Sequence, residues 1–174
     1  MIYMRGGKRT KGLIDWIKAI PEQERTTIVE VGSWIGESTL IFAEYFNSVI
    51  CYDSWSIYLP PEKYQCTIND IFEQFKANVK DTANVTWYKK ESTEAARGVP
   101  DGSVPVLYID AQHIYQAIHA DLIAWLPKFK AGGWIGGHDY GEQFPGVVKA
   151  VAELLPGYPV QTFEDGSWLV RNGA

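Results

Sequence analysis

The feature that most constrains this chain is an alternation. Short β-branched, apolar runs recur along it, separated by longer stretches of helical period. The strand candidates are Thr27 to Val31, Ser48 to Tyr52, Val85 to Tyr88, Val104 to Asp110, Gly133 to Gly137, Val160 to Glu164 and Ser167 to Arg171. Between them, Tyr64, Ile68, Ile71, Phe72, Phe75 and Val79 step by 4, 3, 1, 3 and 4 and so share one helical face. Ile114, Ile118, Leu122 and Trp125 step by 4, 4 and 3, and Lys130-Ala131-Gly132-Gly133 reads as that helix's stop. Continuous apolar strands that alternate with helices need a parallel sheet covered on both faces. The expected fold is therefore doubly wound α/β, a mostly parallel seven-stranded sheet with helices on both faces. It ends in an antiparallel hairpin, because only Asp165-Gly166, a preferred two-residue turn, separates the last two runs.

With 174 residues, no repeat and no linker-like tract, a single domain over 1–174 is expected. It divides into an N-terminal helical appendage, 1–22, and an α/β core, 26–171. In the appendage Leu13, Trp16, Ile17 and Ile20 make an amphipathic helix that Pro21 stops. Its expected place is across the sheet edge or the mouth of the site, where it offers a surface for a homodimer. Composition narrows the function classes. A formal net charge of −5 lacks the electrostatic footprint of a nucleic-acid binder, and a hydrophobic share of 46% is too high for a disordered chain. No apolar run reaches the length of a membrane span or a signal peptide, so the expectation is a soluble, cytoplasmic protein with no membrane partner. Cys51 and Cys66 form no metal or disulfide pattern and read as reduced thiols.

In doubly wound sheets ligands sit beyond the carboxyl ends of the strands, so the residues that follow each strand carry the functional reading. The first strand leads into Gly32-Ser33-Trp34-Ile35-Gly36, a turn that opens a helix. Gly32 can take a positive φ and let backbone approach a ligand, although a strand-to-helix turn needs glycine in any case. Asp53 ends the second strand, 21 residues after Gly32, where a carboxylate can accept hydrogen bonds from ribose hydroxyls. Trp55 offers a ring face to a purine, and Ser92, after the third strand, is both a helix N-cap and an adenine-side contact. The fourth strand delivers Asp110 with His113 close behind, and the fifth delivers His138 and Asp139. Such a group could bind a hard divalent cation or supply a general base for a hydroxyl; alternatively the histidines only cap the helix and loop. His119 lies inside the helix and reads as an ordinary helix residue.

Together these residues make the chain resemble the class I S-adenosylmethionine-dependent methyltransferases, especially the compact small-molecule and sugar O-methyltransferases. The resemblance runs from about Thr27 to Val170 and rests on four segments. They are Glu30-x-Gly32-x-x-x-Gly36, Asp53, Asp110-x-x-His113-x-Tyr115, and Gly132-Gly133-x-x-x-Gly137-His138-Asp139-Tyr140. It implies a Rossmann-like methyltransferase fold with S-adenosylmethionine as cofactor. Glu30, Gly32, Ser33, Trp34 and Gly36 would line the methionine side, Asp53 would hold the ribose, and Ser54, Trp55 and Ser92 would border the adenine, with Asp110 also on the cofactor side. Trp34 stands where the commonest form of the motif has glycine. Metal-dependent relatives hold Mg²⁺ at positions that correspond to Asp110 and Asp139, but Tyr140 stands where a further acidic or amide ligand would follow.

The reading that follows is transfer of a sulfonium methyl to a hydroxyl oxygen of a small-molecule acceptor, with His113 or His138 as base or Mg²⁺ activating the oxygen. Two competing readings are an NAD- or nucleotide-dependent Rossmann enzyme and a non-catalytic domain that keeps the fold as an interaction surface.

Overall fold

The structure, a computed structural model, describes residues 7–57, 59–60 and 65–173, with side chains from residue 10 onward. The parallel strands are β1 (Thr27–Val31), β2 (Ser48–Asp53), β3 (Val85–Lys89), β4 (Val104–Ile109) and β5 (Phe129–Gly137). With β6 (Gln161–Thr162) and β7 (Trp168–Arg171) they form one seven-stranded sheet in the order β3-β2-β1-β4-β5-β7-β6. Only β7 runs against its neighbours, pairing antiparallel to both β5 and β6. Chain order reverses direction between β1 and β4, and the crevice beyond their carboxyl ends is where a doubly wound sheet binds ligands.

The helices cover both faces. On one lie α1 (Gly7–Ala19), α2 (Glu37–Tyr45) and α3 (Ile68–Val79), packed over Ile28, Val49, Val106 and Leu169. On the other lie α4 (Ser92–Arg97), α5 (Tyr115–Trp125) and α6 (Pro145–Leu154), over Val29, Leu107, Ile135 and Val170. The predicted stripe on α3 holds, with Ile71, Phe75 and Val79 buried; Tyr64 lies outside the described residues. Thr67 starts the helix with a reciprocal cap, accepting from the Asp70 N–H at 3.2 Å while Asp70 accepts from the Thr67 N–H at 2.7 Å. On α5, Ile118, Leu122 and Trp125 are buried, but Ile114 precedes the helix and stands exposed. No helix among the described residues is long and apolar enough to cross a membrane.

Three local expectations change. Gly132-Gly133 does not stop α5, which ends at Trp125 ahead of a 3-10 turn through Pro127. The glycines sit inside β5, where the register shifts between Val104 and Val106, and a Cβ on Gly133 would lie 2.5 Å from the Pro105 carbonyl oxygen. Proline offers no N–H to a ladder, so β5 bulges past it. The terminal hairpin turns through three residues, Glu164, Asp165 and Gly166, with Gly166 at φ 87°. That is the turn-plus-left-handed-residue form, and it leaves β6 only two residues long. Finally, α1 does not lie across the sheet edge: Leu13, Trp16, Ile17 and Ile20 are fully buried on the sheet. Trp16 packs against Phe42 and Tyr108 and donates its Nε1–H to the Trp168 carbonyl at 2.7 Å. Those apolar residues complete the core on that face of the sheet.

Candidate active site

A cleft of about 1160 Å³ opens beyond the carboxyl ends of β1, β2, β4 and β5. Its first wall is the loop after β1. Gly32 at φ 88° turns the chain so tightly over β4 that a Cβ would lie 2.2 Å from the Asp110 carbonyl oxygen. Gly36, also left-handed, begins α2 against Phe75. Asp53 braces this loop: its Oδ2 accepts from the N–H groups of Ser33 at 2.9 Å and Trp34 at 3.0 Å, and its Oδ1 from Trp55 at 2.8 Å. A carboxylate has about four acceptor sites, so one is left for a ligand hydroxyl. Burial raises the Asp53 pKa, against the three N–H bonds that hold it down. Gly32, Ser33, Trp34, Ser54, Ser92 and Asp110 line the cleft alongside it.

Three residues expected to touch the cofactor do not line the cleft: Gly36, which caps the start of α2, and Glu30 and Trp55. Glu30 is fully buried beneath the loop, where it accepts from Ser33 at 2.9 Å, Ser38 at 2.5 Å and Thr39 at 2.5 Å, with the Cys51 thiol at 3.4 Å. Burial raises its pKa, and these hydroxyls oppose the rise. It pins β1, β2 and α2 together and does not line the cleft. The Trp55 ring is likewise buried, packed on Phe72 and Phe75, and its Nε1–H ties to the Trp34 carbonyl at 2.8 Å. Its indole therefore offers no face to a purine.

At the other wall β4 and β5 bring Asp110, His113, His138 and Asp139 to one lip. His113 Nδ1 lies 2.5 Å from Asp139 Oδ2 and His138 Nδ1 lies 3.1 Å from Asp139 Oδ1. Asp139 takes φ 61°, and with Trp34 and Trp55 it makes up the positive-φ non-glycine residues among those described. All three hold the loops that shape this cleft, the kind of place where backbone strain persists because the surroundings enforce it. Although burial works against its charge, the two histidine bonds hold the Asp139 carboxyl far below the usual range, and the same bond raises the His113 pKa. His138 Nε2 is buried and 3.8 Å from Asp165 Oδ2. Asp165 itself, read from sequence only as a turn residue, is buried; it accepts from the Ser167 N–H and hydroxyl and packs on Gly12 of α1.

Asp110, His113 and Asp139 each present one atom within 4.8 Å of the others, so the trio could contact a cation. The set fits Mg²⁺ poorly, because that ion wants six oxygen ligands and both Asp139 oxygens are already engaged by imidazoles. Asp121 on α5 also lines the cleft and was missed. Its signal was present in the sequence, since it falls at helical spacing between the apolar Ile118 and Trp125.

A family model described as a methyltransferase domain matches residues 29–140. No curated protein matches by sequence. Among solved structures, phosphoethanolamine N-methyltransferase 1 of Haemonchus contortus with S-adenosylhomocysteine is 14% identical at a TM-score of 0.59, covering 79% of this chain. This chain spans only 27% of that enzyme's length. CalS11, a TDP-rhamnose 3'-O-methyltransferase of calicheamicin biosynthesis, is 16% identical at a TM-score of 0.62, covering 95% of this chain and 78% of its own. The tRNA (m1A58) methyltransferase TrmI of Aquifex aeolicus is 12% identical at a TM-score of 0.65, covering all of this chain and 74% of its own. At such identities the likeness is one of fold, and the acceptors in those names are an amine, a sugar and an RNA. The family match, the strand order and the cleft at its switch point agree: this chain belongs to the class I S-adenosylmethionine-dependent methyltransferase domains.

Proposed function

We propose that this chain moves the methyl group of S-adenosylmethionine to a hydroxyl oxygen of a small-molecule or sugar acceptor, with His113 as general base. The observation that carries the reading is the 2.5 Å contact between His113 Nδ1 and Asp139. A carboxylate on Nδ1 keeps the proton there, so Nε2 holds the lone pair that can take a proton. The ring is 43% exposed, at the cleft, and the bond to Asp139 raises its pKa. His138 is differently placed: its Nδ1 supports Asp139 and its Nε2 is buried towards Asp165, which suits a positioning role.

The residues present fit the cofactor. Asp53 retains one acceptor site for a ribose hydroxyl and holds the Gly32 loop open beside it. When bound, the cofactor supplies an electrophilic methyl on a sulfonium. The chain's own part is to orient the acceptor against the lip formed by Asp110, His113 and Tyr140 and to draw off its proton. A built base points to oxygen, because an alcohol is a weak nucleophile unless its proton is drawn off as it attacks, whereas a neutral amine can attack first and release its proton to solvent once the C–N bond has formed. No step is assigned to Mg²⁺.

The test is methyl transfer from labelled S-adenosylmethionine to a panel of small alcohols, phenols, glycosides, amines and tRNA, with the product identified by mass spectrometry. A methyl ether is expected. Labelling confined to nitrogen or to RNA would overturn the acceptor assignment.

A further inference from the structure

The turn of the C-terminal hairpin carries Asp165, whose side chain is fully buried. A carboxylate in such a place is costly unless donors meet it. Ser167 supplies two, its N–H to Oδ1 at 3.0 Å and its hydroxyl to Oδ2 at 2.9 Å. A hydroxyl has one proton, so the Tyr108 hydroxyl, 3.0 Å from the Ser167 oxygen, is the donor of that pair. Tyr108 and Ser167 are fully buried, and their chain of hydrogen bonds runs one way and ends on Asp165. Helix α1 closes over the same group: a Cβ on Gly12 would lie 2.5 Å from Asp165 Cγ, so glycine is what lets the helix lie this close.

This braced carboxylate faces His138. The imidazole is 13% exposed and sits between two acids, Nδ1 at 3.1 Å from Asp139 Oδ1 and Nε2 at 3.8 Å from Asp165 Oδ2. The longer distance is a charge contact rather than a hydrogen bond. It draws the Nε2 edge of the ring towards the hairpin, which keeps the opposite edge, with Nδ1, on Asp139. The hairpin reaches the same place through backbone, since the Tyr140 N–H donates to the Gly166 carbonyl at 2.8 Å. Asp139 stands at φ 61° and divides its two oxygens between His138 and His113. A turn of the His138 ring would free Oδ1 and let the carboxylate swing off His113 Nδ1.

We propose that Asp165 is a positioning residue for the methyl transfer, holding the His138 ring so that Asp139 stays aligned on His113. The proposal rests on the reading of His113 as base. A shift of about 1 Å at a reacting group can cost on the order of 10²-fold in rate, so a residue behind the ring can govern turnover. It also gives the terminal hairpin and α1, which contribute no base, a part in the chemistry.

The test is proton NMR of the full chain with isotope-labelled histidine, in wild type, Asp165→Ser, His138→Gln and the double variant, and it needs no acceptor. A carboxylate partner moves an imidazole N–H downfield and slows its exchange with water. The serine hydroxyl can still serve the turn at the Ser167 N–H but cannot reach His138. Asp165→Ser should speed exchange of the His113 Nδ1 proton by about tenfold or more, and in the His138→Gln background it should add nothing further. With an acceptor from the panel above, kcat of Asp165→Ser should fall while KM holds. If Asp165→Ser does not fold, Asp165→Asn, which keeps the shape and removes the charge, carries the comparison. Unchanged His113 exchange overturns the proposal. So does an acceleration that is equal with and without His138, or one matched by the core amides of β1 and β4, since a merely structural role would act through the whole fold. Wild-type kcat in His113→Gln would refute the base reading itself, a result separable from the exchange measurements.

Discussion

His113 and Asp139 come from different strand ends, yet Nδ1 of one lies 2.5 Å from Oδ2 of the other. The pairing holds the imidazole proton on Nδ1 and engages the carboxylate a metal would need. His113→Gln should lower kcat by about 10²- to 10⁴-fold, the usual weight of a general base. Affinity for S-adenosylhomocysteine should stay at the wild-type value. EDTA should leave the wild-type rate unchanged; a rate that EDTA abolishes and Mg²⁺ restores would show that Asp110 and Asp139 serve a cation instead.

The same pair sets a pH dependence of stability. The folded His113 pKa is raised above its unfolded value, so its contribution is fully present below about 6.5 and fades as pH rises through the folded pKa. The melting temperature of wild type should therefore exceed that of His113→Gln most near pH 5.5, with the gap narrowing towards pH 9. The ring is partly exposed, so added salt should narrow it too. A gap that widens with pH would contradict this assignment.

Asp53→Ala should weaken S-adenosylhomocysteine binding by at least about tenfold, because the N–H groups of Ser33, Trp34 and Trp55 lose their shared acceptor and the ribose loses its own. Asp53→Asn, which keeps one acceptor oxygen, should lie between that variant and wild type. Titration calorimetry reads both, and an unchanged affinity in Asp53→Ala would remove Asp53 from the cofactor site.

Trp16→Ala tests whether α1 is a structural part of the fold. A fully buried indole that packs on Phe42 and Tyr108 and ties to the Trp168 carbonyl should cost about 3–5 kcal/mol on truncation. Urea unfolding measures this, and a loss below about 1 kcal/mol would return α1 to the status of an appendage.

Legibility followed the range of the physics. Periods of helix and strand are local, so β1, β2, β4 and the stripe on α3 could be read directly, as could the placement of Asp53, Asp110, His113, His138 and Asp139 beyond strand ends. Glu30 and Trp55 were misplaced because motif position gives an address along the chain and says nothing of which way a side chain points. Glu30 turns inward to hydroxyls on α2, and Trp55 turns inward to α3. Asp121 and Asp165 were passed over for a related reason. Each looked ordinary in its segment, a polar residue in a helix and an acid in a turn, until packing against α4 or α1 buried it.

By itself, then, the sequence determined the α/β class, the near-complete strand inventory and the set of strand ends that carry chemistry, since these follow from short-range periodicity and from the chirality of βαβ connections. Only the tertiary structure decided that Asp139 serves two histidines, that Asp53 braces the loop it was expected merely to face, and that α1 is core. Those relationships join residues far apart along the chain, and their energies depend on burial and on which donors arrive together at one carboxylate. No periodicity encodes either quantity.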